Sequence, residues 1–359
     1  PPSNLNRDDT GSPKSAVYGG VRRARASSQS WKRAARREFS AHLDAAELGY
    51  RTLRVVELIA GAIQAQAPDV AEADRIRWAE EALKALGIKL KSPAKAKQAD
   101  AGAPAQLATS EYLIFLSTGQ IENLAALAIA ADGGPINKAE AKRAATSDHG
   151  IDVSLFGRMV ADDATLNVDA AVQVAHAIST HAVTQEFDYY TAVDDRNPRE
   201  ETGAGMIGTI EFNSATLYRY ATLNVDALRA NLGDDEATTR AAVAFFTSFV
   251  KSMPTGKQNT FANRTLPSLV AVRVRADQPI SLVEAFESPV TADGEGWMRR
   301  SVSKLAQHCQ DTDSAYGTAG LTGAGVMAIG DLADLAAPLG ESMSLDELGA
   351  LVAGATRAS

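Results

Sequence analysis

Two hydrophobic rhythms run along the chain. Period-two alternation is clearest at Leu269–Arg275, with Leu269, Ala271, Arg273 and Arg275 on one side and Val270, Val272 and Val274 on the other. Such alternation predicts a strand. Val21–Ala26 is a shorter candidate strand with arginine on both faces, and Leu217–Val225 alternates as well. Helical spacing governs 49–90, where Leu53, Val56, Ile59 and Ile63 recur three or four apart. Further helices are expected over Ile121–Ala131, Lys138–Ala145, Ala170–Thr180, Glu236–Lys251 and near Leu345–Val352. Ser27 or Ser28 is a good N-cap for a helix running to about Leu48, and Ser281 with Glu284 forms a capping box for another. Glu111–Leu116 reads as a strand or a helix start. Residues 1–20, Lys91–Pro104 and Met253–Thr260 read as loops, the Gly/Ala-rich tail begins at Thr318, and Tyr189–Phe212 reads as an exposed hairpin with Gly203, Gly205 and Gly208 between polar flanks. Few strands, many helices and no repeat or heptad series predict an α+β protein with a long helical insert.

Length and composition narrow this picture. At 359 residues the chain holds two ordinary domains or one domain with large insertions. Its 45% hydrophobic and 22% charged residues are those of a globular protein. One cysteine, Cys309, excludes a disulfide scaffold and a cysteine-based zinc or iron–sulfur site. No apolar run is long enough to span a bilayer and no signal peptide is visible, so no membrane partner and a cytoplasmic location are expected. The Pro1-Pro2 start without Met leads us to expect that the true beginning lies upstream.

Net charge is −8, which by itself argues against binding nucleic acid. Its distribution argues otherwise. Between Thr10 and Arg37 stand Lys14, Arg22, Arg23, Arg25, Lys32, Arg33, Arg36 and Arg37 with no acidic residue among them. The remainder of the chain holds 28 basic and 44 acidic residues. Such polarisation can hold a basic groove while repelling polyanions elsewhere. On the predicted helix, Lys32/Arg36 and Arg33/Arg37 form two adjacent i,i+4 rows opposite Trp31, Ala34, Ala35 and Phe39.

Catalytic patterns fare poorly. Gly256-Lys257 resembles the end of a P-loop, but position 251 is Lys rather than Gly and no Ser or Thr follows Lys257. Gly203-x-Gly205-x-x-Gly208 lacks the preceding strand and following helix of a dinucleotide site. Gly323, Gly325 and Gly330 have the wrong spacing. His176 and His181, five apart, point different ways on a helix and read as ordinary core or surface histidines. Asp8-Asp9 and Asp194-Asp195 complete no two-metal site, and no nucleophile elbow is visible.

A specific pattern begins at Leu5-Asn6-Arg7-Asp8-Asp9. It continues through Lys14, Tyr18-Gly19-Gly20-Val21-Arg22-Arg23-Ala24-Arg25 and Ser27-Ser28-Gln29-Ser30-Trp31-Lys32-Arg33-Ala34. Gly157-Arg158-Met159, Ala175-His176-Ala177-Ile178-Ser179-Thr180-His181, Phe187 through Asp195, Tyr218-Arg219-Tyr220-Ala221 and Gly256-Lys257-Gln258-x-Thr260 follow in order. This series resembles the CasC family, the repeated backbone subunits of the type I-E CRISPR surveillance complex, Cascade. The motifs spread from residue 3 to about 290, while 40–150 and the tail match only in layout.

The resemblance implies a modified RRM-like (ferredoxin-like) palm over 1–45, 169–184 and 214–359, a helical fingers insertion over 46–168, and a β-hairpin thumb over 185–213. The family's first palm strand precedes the Leu-Asn-Arg-Asp segment and is expected upstream of Pro1. The implied role is non-catalytic: copies line up head to tail along one CRISPR RNA (crRNA), beside CasA, CasB, CasD and CasE subunits, and present the guide to target DNA. No cofactor and no metal is implied. The expected RNA track is Arg7, Lys14, Arg22, Ser27, Gln29, Lys32, Arg33 and Arg36, joined by Lys257 and Gln258. Met159, Tyr189, Tyr190 and Thr191 are expected beside the displaced nucleotide. Lys138, Lys142 and Arg143 are expected to touch DNA. The runner-up is a type III-like subunit that cuts target RNA with Asp8 or Asp9.

Overall fold

In the computed structural model the described residues are 1–92, 107–192, 206–292, 294 and 296–357. They form an α+β protein whose chain divides into two compact units. The first comprises Pro1–Phe39, Val174–Thr222 and Val243–Ala358; the second comprises Ser40–Gln173 and Leu223–Ala242. No described helix is long and apolar enough to cross a membrane.

The first unit holds a four-stranded sheet in the order Ser15–Tyr18, Val21–Ala26, Ala177–Ser179, Leu217–Tyr218. Its opening hairpin turns at Gly19-Gly20, where φ is 58° and 75°; two successive positive φ angles are the two-residue turn that matches strand twist. Helix Ser28–Glu38 follows directly. Ser27 caps it, its hydroxyl accepting from the Ser30 N–H. Trp31, Ala35 and Phe39 form the buried stripe, and Trp31 packs with Ala26 and Ala177 of the sheet. The helix stops at Glu38, short of the expected Leu48. Phe39 ends the buried stripe, and Asp44 opens a separate turn with its N–H donating to the Glu47 carboxylate at 3.2 Å.

A second sheet in this unit pairs Leu269–Arg275 with Leu321–Ala328, and the latter with Glu341–Ser342. The alternation read from the sequence divides its two faces. Leu269 joins a cluster with Val302, Leu305, Ala306 and Cys309 of helix Trp297–Tyr316, while Val270 and Val272 join Phe246, Val250 and Leu348. Sequence reading did not find that helix or the glycine-rich strand Leu321–Ala328. Gly325 has a physical reason: a Cβ there would come 2.7 Å from the Leu348 side chain of helix Leu345–Ala355.

The expected helix over Ala170–Thr180 is absent. The segment forms strands Val172–Val174 and Ala177–Ser179, the latter paired with Arg25 and Ala26. Tertiary pairing with Val21–Ala26 overrides a short apolar run that reads equally as helix. The expected Ser281/Glu284 capping box does not form: a 3-10 turn, Val283–Phe286, stands there, with Leu282 at its N-cap and no side-chain cap bond.

The second unit is mainly helical. Val55–Gln66, Glu72–Ala85, Thr118–Ala130 and Lys138–Thr146 share one core containing Val56, Ile59, Ile63, Leu83, Leu86 and Leu124. Leu53, expected on that stripe, is exposed because the helix begins only at Val55. Gly49–Thr52 pairs with Ile114–Ser117, so 111–116 proves to be a strand starting at Ile114.

Candidate nucleic-acid interface

The cationic surface of the first unit is built on three segments tied by backbone and amide bonds. Asn6 is the hinge between two of them. Its carbonyl accepts from the Lys14 N–H at 2.8 Å, and its Oδ1 accepts from the Ser27 N–H at 2.9 Å. The early loop is thereby fixed to the N-terminus of helix Ser28–Glu38. Asn4 secures it from the other side, donating to the Gly11 carbonyl at 3.1 Å and the Glu211 carbonyl at 2.9 Å. The third segment is the Gly256-Lys257 turn. A Cβ on Gly256 would sit 2.6 Å from the Leu5 carbonyl carbon, so only glycine lets this turn lie on the Asn4-Leu5 backbone. Lys257 follows in the left-handed region, φ 48° and ψ 28°, a conformation costing a non-glycine residue about 1–3 kcal/mol.

These ties bring Arg7, Lys14, Ser27, Lys257 and Gln258 into one neighbourhood. Gln29 and Arg33 are exposed, and Lys32 and Arg36 half-buried, on the helix face away from Trp31. The N–H groups of the first helical turn add partial positive charge there. The Ser27 hydroxyl, by contrast, is buried and occupied by the Ser30 N–H at 3.3 Å, so its part is to cap. Arg22 is exposed and donates to Gln185 at 3.1 Å, and Gln185 in turn bonds Glu211, joining the sheet to the foot of the hairpin.

Not every cation in the basic run faces outward. Arg23 is fully buried and donates to the carbonyls of Tyr18, Ser179, Phe286 and Glu287. Burial holds its pKa below the usual guanidinium value. Arg25 donates through Nε to Ser15 and through NH1 to His176 Nδ1 at 3.1 Å. Arg219 lies 3.7 Å from the Trp31 ring centroid and 4.3 Å from that of Phe249, and desolvation pushes its pKa down to about 9. Arg219 thus backs the same helix from inside.

Asp8 is engaged within its own loop. Its Oδ1 accepts from the Thr10 N–H at 3.0 Å, the Thr10 hydroxyl at 2.7 Å and the Ser12 N–H at 3.0 Å. The Thr10 hydroxyl is the main reason its carboxyl is held below the usual carboxylate value. Asp9 is exposed. Among the described residues no group of three or more His, Cys, Asp or Glu could hold a metal ion. His181 is buried and stacks on Trp297 at 3.9 Å, and His176 is exposed.

The hairpin pairs Glu186–Ala192 with Met206–Ser214. Alternation separates its two tyrosines. Phe187, Tyr189 and Thr191 share a face with Ile207, Thr209 and Glu211; Tyr190 shares the other with Gly208, Ile210 and Phe212. Tyr190 lies over Gly208, where a Cβ would meet its Cζ at 2.5 Å. Phe212 continues that face against Phe261, 5.4 Å away, at the end of the short helix Gln258–Phe261. Tyr189 remains well exposed. Gly203, Gly205, Asp194 and Asp195 lie outside the described residues.

In the second unit, Met159 is 81% exposed beside a buried Arg158. Arg158 donates to the carbonyls of Leu166, Phe115 and Ala145 and to Gln120 Oε1. Gly157, φ 76°, fits against the Val168 carbonyl and Ala170 N. The Gly-Arg-Met triplet is therefore a turn, a clamp and a displayed side chain. Lys138 and Arg143 are exposed on their helix; Lys142 is half-buried, paired with Asp163 at 2.5 Å and bonded to Thr165. Sequence reading gave no role to Asn6, Arg158 or His176, although each lies in a motif it singled out.

The first unit thus carries basic loops locked to a cationic helix, together with an exposed aromatic hairpin. The comparisons with known proteins are more specific: residues 1–350 match the model of the CT1975-like protein family, and the chain belongs to that family. A solved chain titled "CRISPR RNA-guided surveillance complex, pre-nicking" is 34% identical, with a TM-score of 0.85 over 99% of this chain and 97% of that one. Another, titled "CRISPR RNA-guided surveillance complex", is 28% identical, with a TM-score of 0.71 over 99% and 96%. No curated protein matches significantly.

Proposed function

We propose that this chain is a non-catalytic crRNA-binding backbone subunit of a type I-E-like CRISPR surveillance complex, working in the cytoplasm. Copies bind one guide RNA head to tail without reading its sequence and present its bases to target DNA. Subunits of the CasA, CasB, CasD and CasE kinds complete the assembly. A heterologous contact that does not close yields such a filament. The resemblance in sequence and the similarity to surveillance-complex chains support this reading.

The observation that carries it is the locked cationic surface. The early loop, the helix start and the Gly256-Lys257 turn are fixed by Asn6, Asn4 and the glycine contact. Around them stand Arg7, Lys14, Lys32, Arg33 and Arg36. Charges and backbone donors recognise phosphate and ribose, leaving bases free to pair. The hairpin supplies exposed aromatic surface suited to an unstacked base, and Met159, in the second unit, an exposed thioether. Lys138 and Arg143 would touch DNA non-specifically.

The test is absorbance at 260 and 280 nm with sizing, on protein made with and without a CRISPR array. Large particles holding a discrete RNA, abolished by combined Lys32→Glu and Arg36→Glu substitution, are expected. An RNA-free monomer in both preparations, with the array transcribed, overturns the reading. The type III-like alternative rests on Asp8 or Asp9; Asp8 accepts from Thr10 and Ser12 within its own loop, and Asp9 is exposed. Target-RNA cleavage at regular intervals with Mg²⁺, abolished by Asp8→Ala or Asp9→Ala, would restore it.

A further inference from the structure

We infer that His176 is a neutral backbone-reading donor of the RNA surface, with Arg25 fixing which ring nitrogen carries its proton. The inference rests on the RNA-binding reading above. Ladder register places the residue. Arg25 pairs with Ile178 and Ala26 with Ala177, so the next position outward sets His176 across from Ser27, the cap of helix Ser28–Glu38. The imidazole is exposed there, beside the early loop that Asn6 ties to the same Ser27.

A guanidinium only donates. Its NH1 lies 3.1 Å from His176 Nδ1, so Nδ1 must be the acceptor and the proton of the neutral ring must sit on Nε2. Nε2 has no partner among the described residues. Arg25 is itself held by its Nε bond to the Ser15 carbonyl at 3.1 Å, so the ring is braced through the sheet. The charged groups acting on the ring from neighbouring elements are Arg25 on the strand and Lys14 on the early loop. Partial desolvation and these two cations hold its pKa below the ordinary histidine value. At neutral pH the ring is therefore a directed, uncharged N–H donor on a largely cationic surface. The acceptor it fits is an RNA backbone oxygen, of phosphate or of ribose hydroxyl.

A neutral donor and a cation leave different signatures. Neutralising a phosphate with a cation releases counterions and steepens the salt dependence; a neutral hydrogen bond does not. The experiment measures binding of a labelled, mixed-sequence single-stranded RNA to the full chain by anisotropy at pH 8, across a salt series. His176→Ala is compared with Lys32→Ala. The expected result for His176→Ala is an affinity loss of about three- to tenfold with an unchanged log–log slope. Lys32→Ala should weaken binding and flatten the slope. Arg25→Met, which frees the tautomer, should reproduce the His176→Ala effect in part, and adding His176→Ala to it should cost little more. The same weakening on a 2′-deoxy oligonucleotide assigns the acceptor to phosphate; weakening on RNA alone assigns it to the hydroxyl. Wild-type affinity in His176→Ala, or a flattened slope, overturns the inference while leaving RNA binding intact. No binding by the unsubstituted chain overturns the RNA-binding reading itself.

Discussion

Gly256→Ala is the sharpest single perturbation of the proposed surface. The residue's φ does not demand glycine, so the effect is purely steric. The added methyl would lie 2.6 Å from the Leu5 carbonyl carbon and closer still to the Asn4 and Leu5 oxygens. Backbone atoms cannot swing aside as a long side chain would, so the turn must withdraw by about 1 Å, at a cost of about 1–3 kcal/mol. Withdrawal moves Lys257 and Gln258 away from Arg7 and Lys14 while leaving every charge in the protein. For a unit of this size each kcal/mol lowers Tm by about 2–4 °C. Each phosphate of single-stranded RNA that is no longer neutralised lowers the salt slope by about 0.7. The assays are a thermal melt and an RNA anisotropy titration across salt. A lowered Tm with unchanged affinity and slope would refute the claim that the turn belongs to the RNA track. Unchanged Tm would refute the close approach itself. Gly61→Ala is the matching control: it lies in helix Val55–Gln66 with nothing within 4 Å of an added Cβ, and should raise stability by about 0.5–1 kcal/mol.

Four further outcomes follow from the same geometry. Tyr189→Ala should leave the thermal midpoint unchanged, because the ring is exposed; under the proposed function it should also increase the chemical reactivity of bound RNA at regular positions. Tyr190→Ala should loosen the hairpin, read as faster amide exchange along Glu186–Ala192, because it uncovers Gly208. Arg158→Met should destabilise the second unit strongly, by about 3 kcal/mol or more, since it removes the guanidinium bonds to three buried carbonyls and one of the donors to Gln120 Oε1, which keeps the Ser117 N–H; a melt that does not move would refute the clamp. His181 and His149 both have folded pKa values lowered chiefly by burial. A lowered folded value means that the unfolded chain takes up the proton first, so stability falls as pH drops below about 6.5 toward the folded values. His181→Gln should shrink that fall, and a pH-independent melt between about pH 7.5 and 5.5 would refute it.

What was legible in the sequence was local. Val21–Ala26, the Ser27 cap and Leu269–Arg275 stand where alternation and capping chemistry put them, because each is fixed within a few residues. The segment 170–180 was not legible, since Ala177–Ser179 becomes a strand only once Val21–Ala26 is available to pair with it, and Val172–Val174 pairs elsewhere in the chain. Helix Trp297–Tyr316 buries Val302, Leu305, Ala306 and Cys309 at helical spacing, a signal diluted by the polar residues between them. In strand Leu321–Ala328 the glycines carry no periodicity, and their reason lies in a helix that arrives later in the chain. The site divides the same way. Its residue types were visible, but Asn6 as a hinge and Gly256 as a close approach depend on partners distant in the chain.

The arginines show why counting charge overstates such a surface. Arg23 and Arg158 are buried on carbonyl oxygens, and Arg219 between two rings. A carboxylate partner would neutralise each one. Carbonyls satisfy Arg23 and Arg158 while leaving the positive charge in place; Arg219 donates to the Phe249 carbonyl and lies against the two rings, with its Nε unpaired among the described residues. Arg23 and Arg219 thereby underlie the sheet and helix that carry Arg22, Lys32 and Arg33, adding positive potential from within a medium that screens poorly. Such residues both hold the backbone and bias the field, and a well-chosen substitution separates the two roles. Arg219→Met keeps the length of the stem and part of the packing between Trp31 and Phe249 but removes the charge. If field matters, RNA affinity at low salt should fall by more than the accompanying change in Tm explains, and the deficit should shrink as salt rises. A deficit that ignores salt would assign Arg219 to packing alone.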